Sequence, residues 1–257
     1  AIIALPLSIA LALASGVGPE QGIYTAIAAG FVISFLGGSQ VQIAGPTAAF
    51  ATIVAGIVAR SGVEGLAVAT IMAGIILVIM GFCQLGSLIK FIPFTITTGF
   101  TSGIAVTIVI GQLKDFFGVT YPAGMETIET MQKLKAFAAG FGTMNVHALI
   151  VGLVCLAILI VMPKITEKIP GSLVAVLVGI VMVKFLPLQV NTIGDLYTIS
   201  NRLPSFTPPD FSFDTVQAML PSAFTIAILA AIESLLSCVV ADGMVASHHN
   251  SNTELIA

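Results

Sequence analysis

Long apolar stretches separated by short clusters of glycine, proline and charge set the rhythm of this chain. No Asp, Glu, Lys or Arg occurs from Gln21 to Ala59, Gly65 to Ile89, Phe91 to Leu113 or Ala136 to Pro163. A helix needs about 20 apolar residues to cross a bilayer, so each run is long enough to cross at least once. The pattern predicts eight segments: Ala1–Ser15, Ile23–Leu36, a composite third segment, Leu66–Ile89, Phe94–Leu113, Val146–Met162, Ser172–Leu186 and Asp214–Ala241. Gly16–Gly22, with Gly18 and Pro19, reads as the turn after segment 1. Pro163 closes segment 6, and Pro6 and Pro221 are expected to bend segments 1 and 8.

The third segment breaks the rhythm. Gln40-Val41-Gln42-Ile43-Ala44 alternates polar and apolar residues with strand periodicity, and Gly45-Pro46 interrupts it. Thr47 to Ala59 then reads as an Ala-rich helix ending at Arg60, too short to span alone. An extended piece followed by a half-helix is the expected form. Two longer connections follow, Lys114–Asn145, part of which suits an interfacial helix, and Leu188–Phe213, with Pro204, Pro208 and Pro209. Gly99 and Gly103 form a small-xxx-small face for close helix packing. The positive-inside rule places Lys90, Lys164 and Lys168 in the cytoplasm, with Arg60 and the two long connections outside.

Composition agrees with a lipid solvent. Hydrophobic residues make up 57% of the chain and charged residues 8%, against about 25% charged in an ordinary soluble domain. Net charge is −3 with no basic block, which argues against a nucleic-acid partner. Cys83, Cys155 and Cys238 fit neither a zinc site nor a disulfide framework and read as buried inert thiols. No cofactor is expected, because nucleotide-loop, metalloprotease and nucleophile-elbow motifs are missing, and with them any sign of an enzyme. The adjacent His248 and His249 cannot both face one point on a helix, so they do not suggest a metal site. Both ends of the sequence fall in apolar stretches, which reads as a piece of a longer polypeptide.

Two features carry candidate chemistry. Glu233 lies inside segment 8, where an ionisable group costs a few kcal/mol unless it faces a cavity or a partner. Ser237, four residues on, shares its helix face, and a carboxylate with a hydroxyl can hold a proton or a sodium ion. The alternative is a structural carboxyl paired with a neighbouring helix. The second feature is the break at Ala44-Gly45-Pro46-Thr47, where a half-helix would begin within the membrane. Its first N–H groups have no intrahelical partner and sit at the positive end of the dipole, which suits an anion. The alternative is a kinked helix whose polar groups are met by neighbours. Gln40 and Gln42 either line the same cavity or cap the strand. Ser8 in segment 1 either faces the substrate or bonds its own helix.

Together these stretches resemble the SulP family of anion transporters, relatives of the sulfate permeases. The resemblance is carried by Leu5-Pro6 through Gly22-Ile23-Tyr24, Gly37-Gly38-Ser39 to Gly45-Pro46-Thr47, Thr98-Gly99-Phe100-Thr101-Ser102-Gly103, Ile232-Glu233-Ser234-Leu235-Leu236, Ala241-Asp242-Gly243-Met244, and His249-Asn250-Ser251-Asn252 to Glu254-Leu255-Ile256-Ala257. It implies an all-helical membrane fold of fourteen segments in two inverted seven-segment repeats, with a core domain moving elevator-fashion against a gate domain. On that pattern residues 1–90 and 210–257 belong to the core and 91–200 to the gate. Segments 9 to 14 and the usual C-terminal STAS domain would then lie outside this chain, together with half of the binding site. The resemblance places the anion at Gly45, Pro46, Thr47 and Ala48, and a coupling ion, more readily a proton than sodium, at Glu233 and Ser237. Leu7 and Leu11 stand where relatives often carry polar or aromatic residues. The implied protein is a homodimer in the cell membrane that moves sulfate, bicarbonate or a dicarboxylate by symport or exchange. The alternatives are a nucleobase transporter of the same fold and a passive anion channel.

Overall fold

The computed structural model describes residues 4–39, 41–42, 45, 47–87, 94–125, 127–166, 169–197, 208–245 and 248–257. Ten α-helices are formed among them: α1 Ala4–Ala14, α2 Pro19–Leu36, α3 Ala48–Phe82, α4 Phe94–Phe116, α5 Thr130–Gly140, α6 Val146–Ile165, α7 Gly171–Phe185, α8 Ile193–Leu196, α9 Phe213–Val245 and α10 Ser251–Ile256. Helices α3, α6 and α9 are each long and apolar enough to cross a membrane. The chain divides into two compact units, one of Ala1–Pro6 and Ala105–Ile199, the other of Leu7–Ile104 and Ser200–Ala257.

The unit of Leu7–Ile104 and Ser200–Ala257 is organised by α3 and α9. One face of α9 carries Met219, Ala223, Ala227, Ala231 and Leu235, all buried and spaced by four residues. Side chains at i and i+4 stack on one helix face, so this spacing makes a continuous seam. The facing seam of α3 has Val68, Ala69 and Ala73, all within 1% of full burial. Small side chains let the two backbones approach closely, and dispersion then supplies the attraction that lipid does not oppose. Outward residues are apolar as well: Ile27, Phe31 and Phe35 form an exposed stripe on α2, a surface suited to an apolar surround rather than water.

Helix α3 contains both the half-helix and the segment after it. Gly62 separates its two parts with φ 68° and ψ −175°, a conformation open essentially to glycine alone. The short arm is therefore 48–61, close to the expected end at Arg60, and the longer arm runs through 63–82. Gly16 ends α1 in the left-handed region at φ 75°, with the Val17 N–H on the Ala12 carbonyl and the Gly16 N–H on the Leu13 carbonyl. Gly118 ends α4 by the same device, through Val119 to Lys114 and Gly118 to Asp115.

Three expectations need correction. The turn before α2 is shorter than Gly16–Gly22: helix begins at Pro19, whose missing N–H costs nothing at the first helical position, and Glu20 favours the positive dipole end. Pro163 does not close α6, which continues to Ile165; a proline in the last turn removes one hydrogen bond without leaving a long helix to break. No strand is formed among the described residues. Val41, Gln42 and Gly45 are irregular, because an extended segment becomes a ladder only where another strand lies beside it. Gln40, Ile43, Ala44 and Pro46, which belong to the same expected strand and break, lie outside the described residues.

In the unit of Ala1–Pro6 and Ala105–Ile199, α6 packs on α7. Asn145 caps α6, its Oδ1 accepting from His147 N at 2.9 Å and Ala148 N at 3.4 Å, and its Nδ2 donates to the Gln189 carbonyl at 2.7 Å. Within Lys114–Asn145 a helix does form, α5, opened by a reciprocal Glu129–Gln132 capping box. Phe117, Phe137 and Phe141 pack edge-on and tilted around its end. Lys133 of α5 is half-buried, and burial lowers its pKa from the ordinary lysine value.

Candidate functional site

The site grows from the start of α3. Thr47 is its N-cap, in extended conformation at φ −118° and ψ 150°. A threonine there ordinarily turns its hydroxyl back onto the helix's own free N–H groups. Thr47 makes no such side-chain cap. Its Oγ1 instead donates to Glu233 Oε2 at 2.7 Å, across 186 residues of sequence. The first amides of α3 are thus left without the usual side-chain acceptor, and a carboxylate stands within one hydroxyl of them. At Gly45 a Cβ would meet nothing within 4 Å, so this position has open space beside it.

Glu233 is held where the α9 seam places it. Ala231 and Leu235, two residues before and after it, are buried in the seam, so Glu233 lies off that seam on another face of α9, half-buried, and its contact with the α3 start is the bond from Thr47. Ser237, one turn later, is exposed, and the hydroxyl that meets the carboxylate belongs to Thr47. Ala48 is the first residue of α3 and half-buried. Pro46 lies outside the described residues. Ser8 is 1% exposed and sits where α1 meets Gly22; a Cβ at Gly22 would stand 2.3 Å from the Ser8 carbonyl oxygen. The structure therefore brings Thr47 and Glu233 together and packs Ser8 into the α1–α2 crossing.

A second polar cluster adjoins the pair. Gln42 Nε2 donates to Ser234 Oγ at 3.2 Å, Ser234 Oγ donates to Glu254 Oε1 at 2.8 Å, and the Gly38 N–H donates to Glu254 Oε2 at 2.8 Å. The Cys238 thiol donates to Gln42 Oε1 at 2.7 Å. Ser234 and Cys238 are four residues apart and so share one face of α9. Sequence reading chose the face of Glu233 and Ser237 and did not single out Ser234 or Glu254. The only signal for Ser234 was its i, i+4 spacing to Cys238. Beyond α9, His249 Nδ1 lies 2.7 Å from Asp242 Oδ2 and its Nε2 lies 2.9 Å from Ser251 Oγ, which fixes the connection into α10.

Thr47 is exposed at the start of α3, with its hydroxyl turned to a half-buried carboxylate of α9, and helices that begin partway through a membrane protein are a device by which carriers meet small charged solutes. The fold is that of an integral membrane helical domain. The chain belongs to the sulfate permease family, whose description matches residues 1–257. It is an integral protein of the cell membrane and represents part of a fourteen-segment fold.

Among its relatives, YvdB of Bacillus subtilis (strain 168), which carries a sulfate-transporter name, is 42% identical over 257 residues, covering 99% of this chain and 48% of that protein. The bicarbonate transporter BicA of Picosynechococcus sp. (strain ATCC 27264 / PCC 7002 / PR-6) is 35% identical over 267 residues, covering 100% of this chain and 46% of that protein. The solved transmembrane domain of a cyanobacterium bicarbonate transporter BicA matches with a TM-score of 0.84 at 30% identity, over 99% of this chain and 66% of that one. The structure of SLC26A9 matches with a TM-score of 0.80 at 20% identity, over 99% and 44%, and so speaks to the fold alone. The chain spans about half the length of the curated relatives it matches.

Proposed function

We propose that this chain is the first part of a proton-coupled carrier of small inorganic anions, sulfate or bicarbonate, with dicarboxylates as the wider class. The observation that carries the reading is the 2.7 Å hydrogen bond from Thr47 to Glu233 at the start of α3. The amide end of α3, from Gly45 through Pro46 and Thr47 to Ala48, is the half of the anion site that this chain supplies. A negative solute arriving there meets free N–H groups and the positive end of a dipole. It also meets the negative charge of an ionised Glu233. Like charges oppose each other strongly in a low-dielectric site, so the anion binds best when Glu233 carries a proton. Proton and anion then travel together by linkage between the two sites.

On this reading residues 1–90 and 210–257 form the core-domain part and 91–200 the gate-domain part. Ser237 is a secondary ligand for a cation, and the complete protein works as a homodimer. The BicA relative is named for bicarbonate and the Bacillus subtilis relative for sulfate, which supports a small oxyanion as substrate. The test is uptake of labelled sulfate and of labelled bicarbonate by the complete protein in proteoliposomes. Separate arms impose a pH gradient, a sodium gradient or neither. Uptake driven by the pH gradient is expected. Uptake that responds only to sodium assigns the coupling ion differently, and indifference to every anion, with transport of uracil or xanthine instead, ends the reading.

A further inference from the structure

Glu254 is a carboxylate that the mechanism above leaves unused, and it is only 4% exposed. Both of its oxygens are engaged by neutral donors, Oε2 by the Gly38 N–H and Oε1 by the Ser234 hydroxyl, each at 2.8 Å. The Gly38 carbonyl in turn accepts from Asn250 N at 3.0 Å, so both polar groups of that peptide residue are tied to the α10 end. The approach is close enough to require glycine: a Cβ at Gly38 would stand 2.3 Å from the Asn250 oxygen and 2.8 Å from Glu254 N. Gly81 and Gly86 receive the same short helix, with a Cβ at 81 lying 2.9 Å from the Asn252 oxygen and one at 86 lying 2.8 Å from the Ser251 oxygen. The start of α10 is thus seated in three glycine notches, which fixes where the Glu254 carboxylate stands.

From there the contacts lead to the site. Ser234, which donates to Glu254, accepts from Gln42, and Gln42 accepts from Cys238. Gly38 and Gln42 precede Thr47 in the sequence, and Ser234 is the residue after Glu233. One carboxylate is therefore bonded directly to Gly38 and to Ser234 of the helix bearing Glu233, and Gln42 reaches it through Ser234.

We infer that Glu254 is a positioning residue for the anion site, holding Gly38 directly and Gln42 through Ser234 against the turn of α9 that carries Glu233. The inference rests on the reading of Thr47 and Glu233 as the anion and coupling site. Glu254→Ala releases both ties. Glu254→Gln keeps the volume, one acceptor for the Gly38 N–H and a donor that the Ser234 oxygen can accept. Ser234→Ala cuts only the α9 link.

The complete protein in proteoliposomes, with labelled sulfate and bicarbonate as probes, supplies the first readout. Glu254→Ala is expected to raise KM about tenfold with the maximal rate within about twofold, as the loss of charge-assisted hydrogen bonds implies. Ser234→Ala is expected to raise KM less and to add nothing to Glu254→Ala, while Glu254→Gln restores KM to within about threefold of wild type. The second readout is independent of transport. Alkylation of Cys238 by N-ethylmaleimide, located by peptide mass spectrometry, is expected to quicken about fivefold or more in Glu254→Ala, because Gln42 is no longer held against the thiol. Should Glu254→Ala fail to assemble, Ser234→Ala carries both readouts. A wild-type protein that moves neither anion overturns the transport reading and this inference together. A transporting wild type whose variants keep KM or Cys238 labelling unchanged overturns the inference alone.

Discussion

Replacing Glu233 by glutamine removes a charge and almost nothing else. The amide oxygen can still accept from the Thr47 hydroxyl now 2.7 Å from the carboxylate, so the local geometry is kept. An anion seated on the α3 amides beside Thr47 would lie about 5 Å from the carboxylate. At an effective dielectric constant of about 20, two like charges at that distance repel by about 3.3 kcal/mol, or about 250-fold in affinity. The dipole at a helix start returns about 0.3 to 2 kcal/mol, so it does not offset an ionised carboxylate by itself. Wild type should therefore bind its anion roughly two orders of magnitude more weakly once Glu233 is ionised. Glu233→Gln should bind tightly at every pH and lose acceleration by an inward proton gradient. The assay is anion counterflow and equilibrium binding across an acidic-to-alkaline series, paired with gradient-driven uptake. If Glu233→Gln retains the wild-type pH slope, or if wild-type affinity is flat with pH, the electrostatic argument is wrong.

Further expectations follow from individual contacts. Thr47→Val removes the hydrogen bond to Glu233 while keeping the shape, and should raise KM about tenfold at constant expression, measured by uptake kinetics. Gly38→Ala drives a methyl group into the Asn250 backbone and should destabilise the complete protein by about 1 to 3 kcal/mol in a detergent melting assay, whereas Gly45→Ala, with open space around it, should melt like wild type. Gly62→Ala forces a side chain into backbone space reserved for glycine and should cost about 1 to 3 kcal/mol in the same assay; an unchanged melting point would mean that the corner is not held as described. Asp195 has its pKa lowered by hydrogen bonds from the Thr192 hydroxyl and amide. Its contribution is present above the ordinary aspartate pKa and fades as pH falls through the lowered value, so Thr192 amide protection in hydrogen exchange should persist into acid and then be lost.

Sequence pattern made the membrane architecture legible because lipid imposes one strong rule, that apolar runs must be long and helical. It also located the interruption between segments 3 and 4, since a helix of that length cannot span. Helix ends were harder: Pro19 looked like a turn residue and is the first residue of α2, and Pro163 looked like a terminator and lies within α6. The inward face of α9 was hidden for a different reason. A helix that is apolar all round gives no amphipathic phase, so only the i, i+4 spacing to Cys238 separates Ser234, which joins the network, from Ser237, which is exposed. Glu254 enters the sequence reading only as part of the stretch that carries the family resemblance. Its burial is created by a contact 216 residues away at Gly38, which no window along the chain contains.

Those same separations bear on how the protein is made. The short arm of α3 emerges from the ribosome early, yet the carboxylate that engages Thr47 comes 186 residues later and the clamp on Gly38 later still. Until then the Thr47 hydroxyl at the start of the arm has no carboxylate to meet, and the arm is too short to settle across the bilayer alone. Assembly of this half of the molecule must wait for synthesis to reach α10. Truncated or stalled chains ending before that point would expose an unfinished polar gap within the membrane, the kind of defect that membrane quality-control proteases remove.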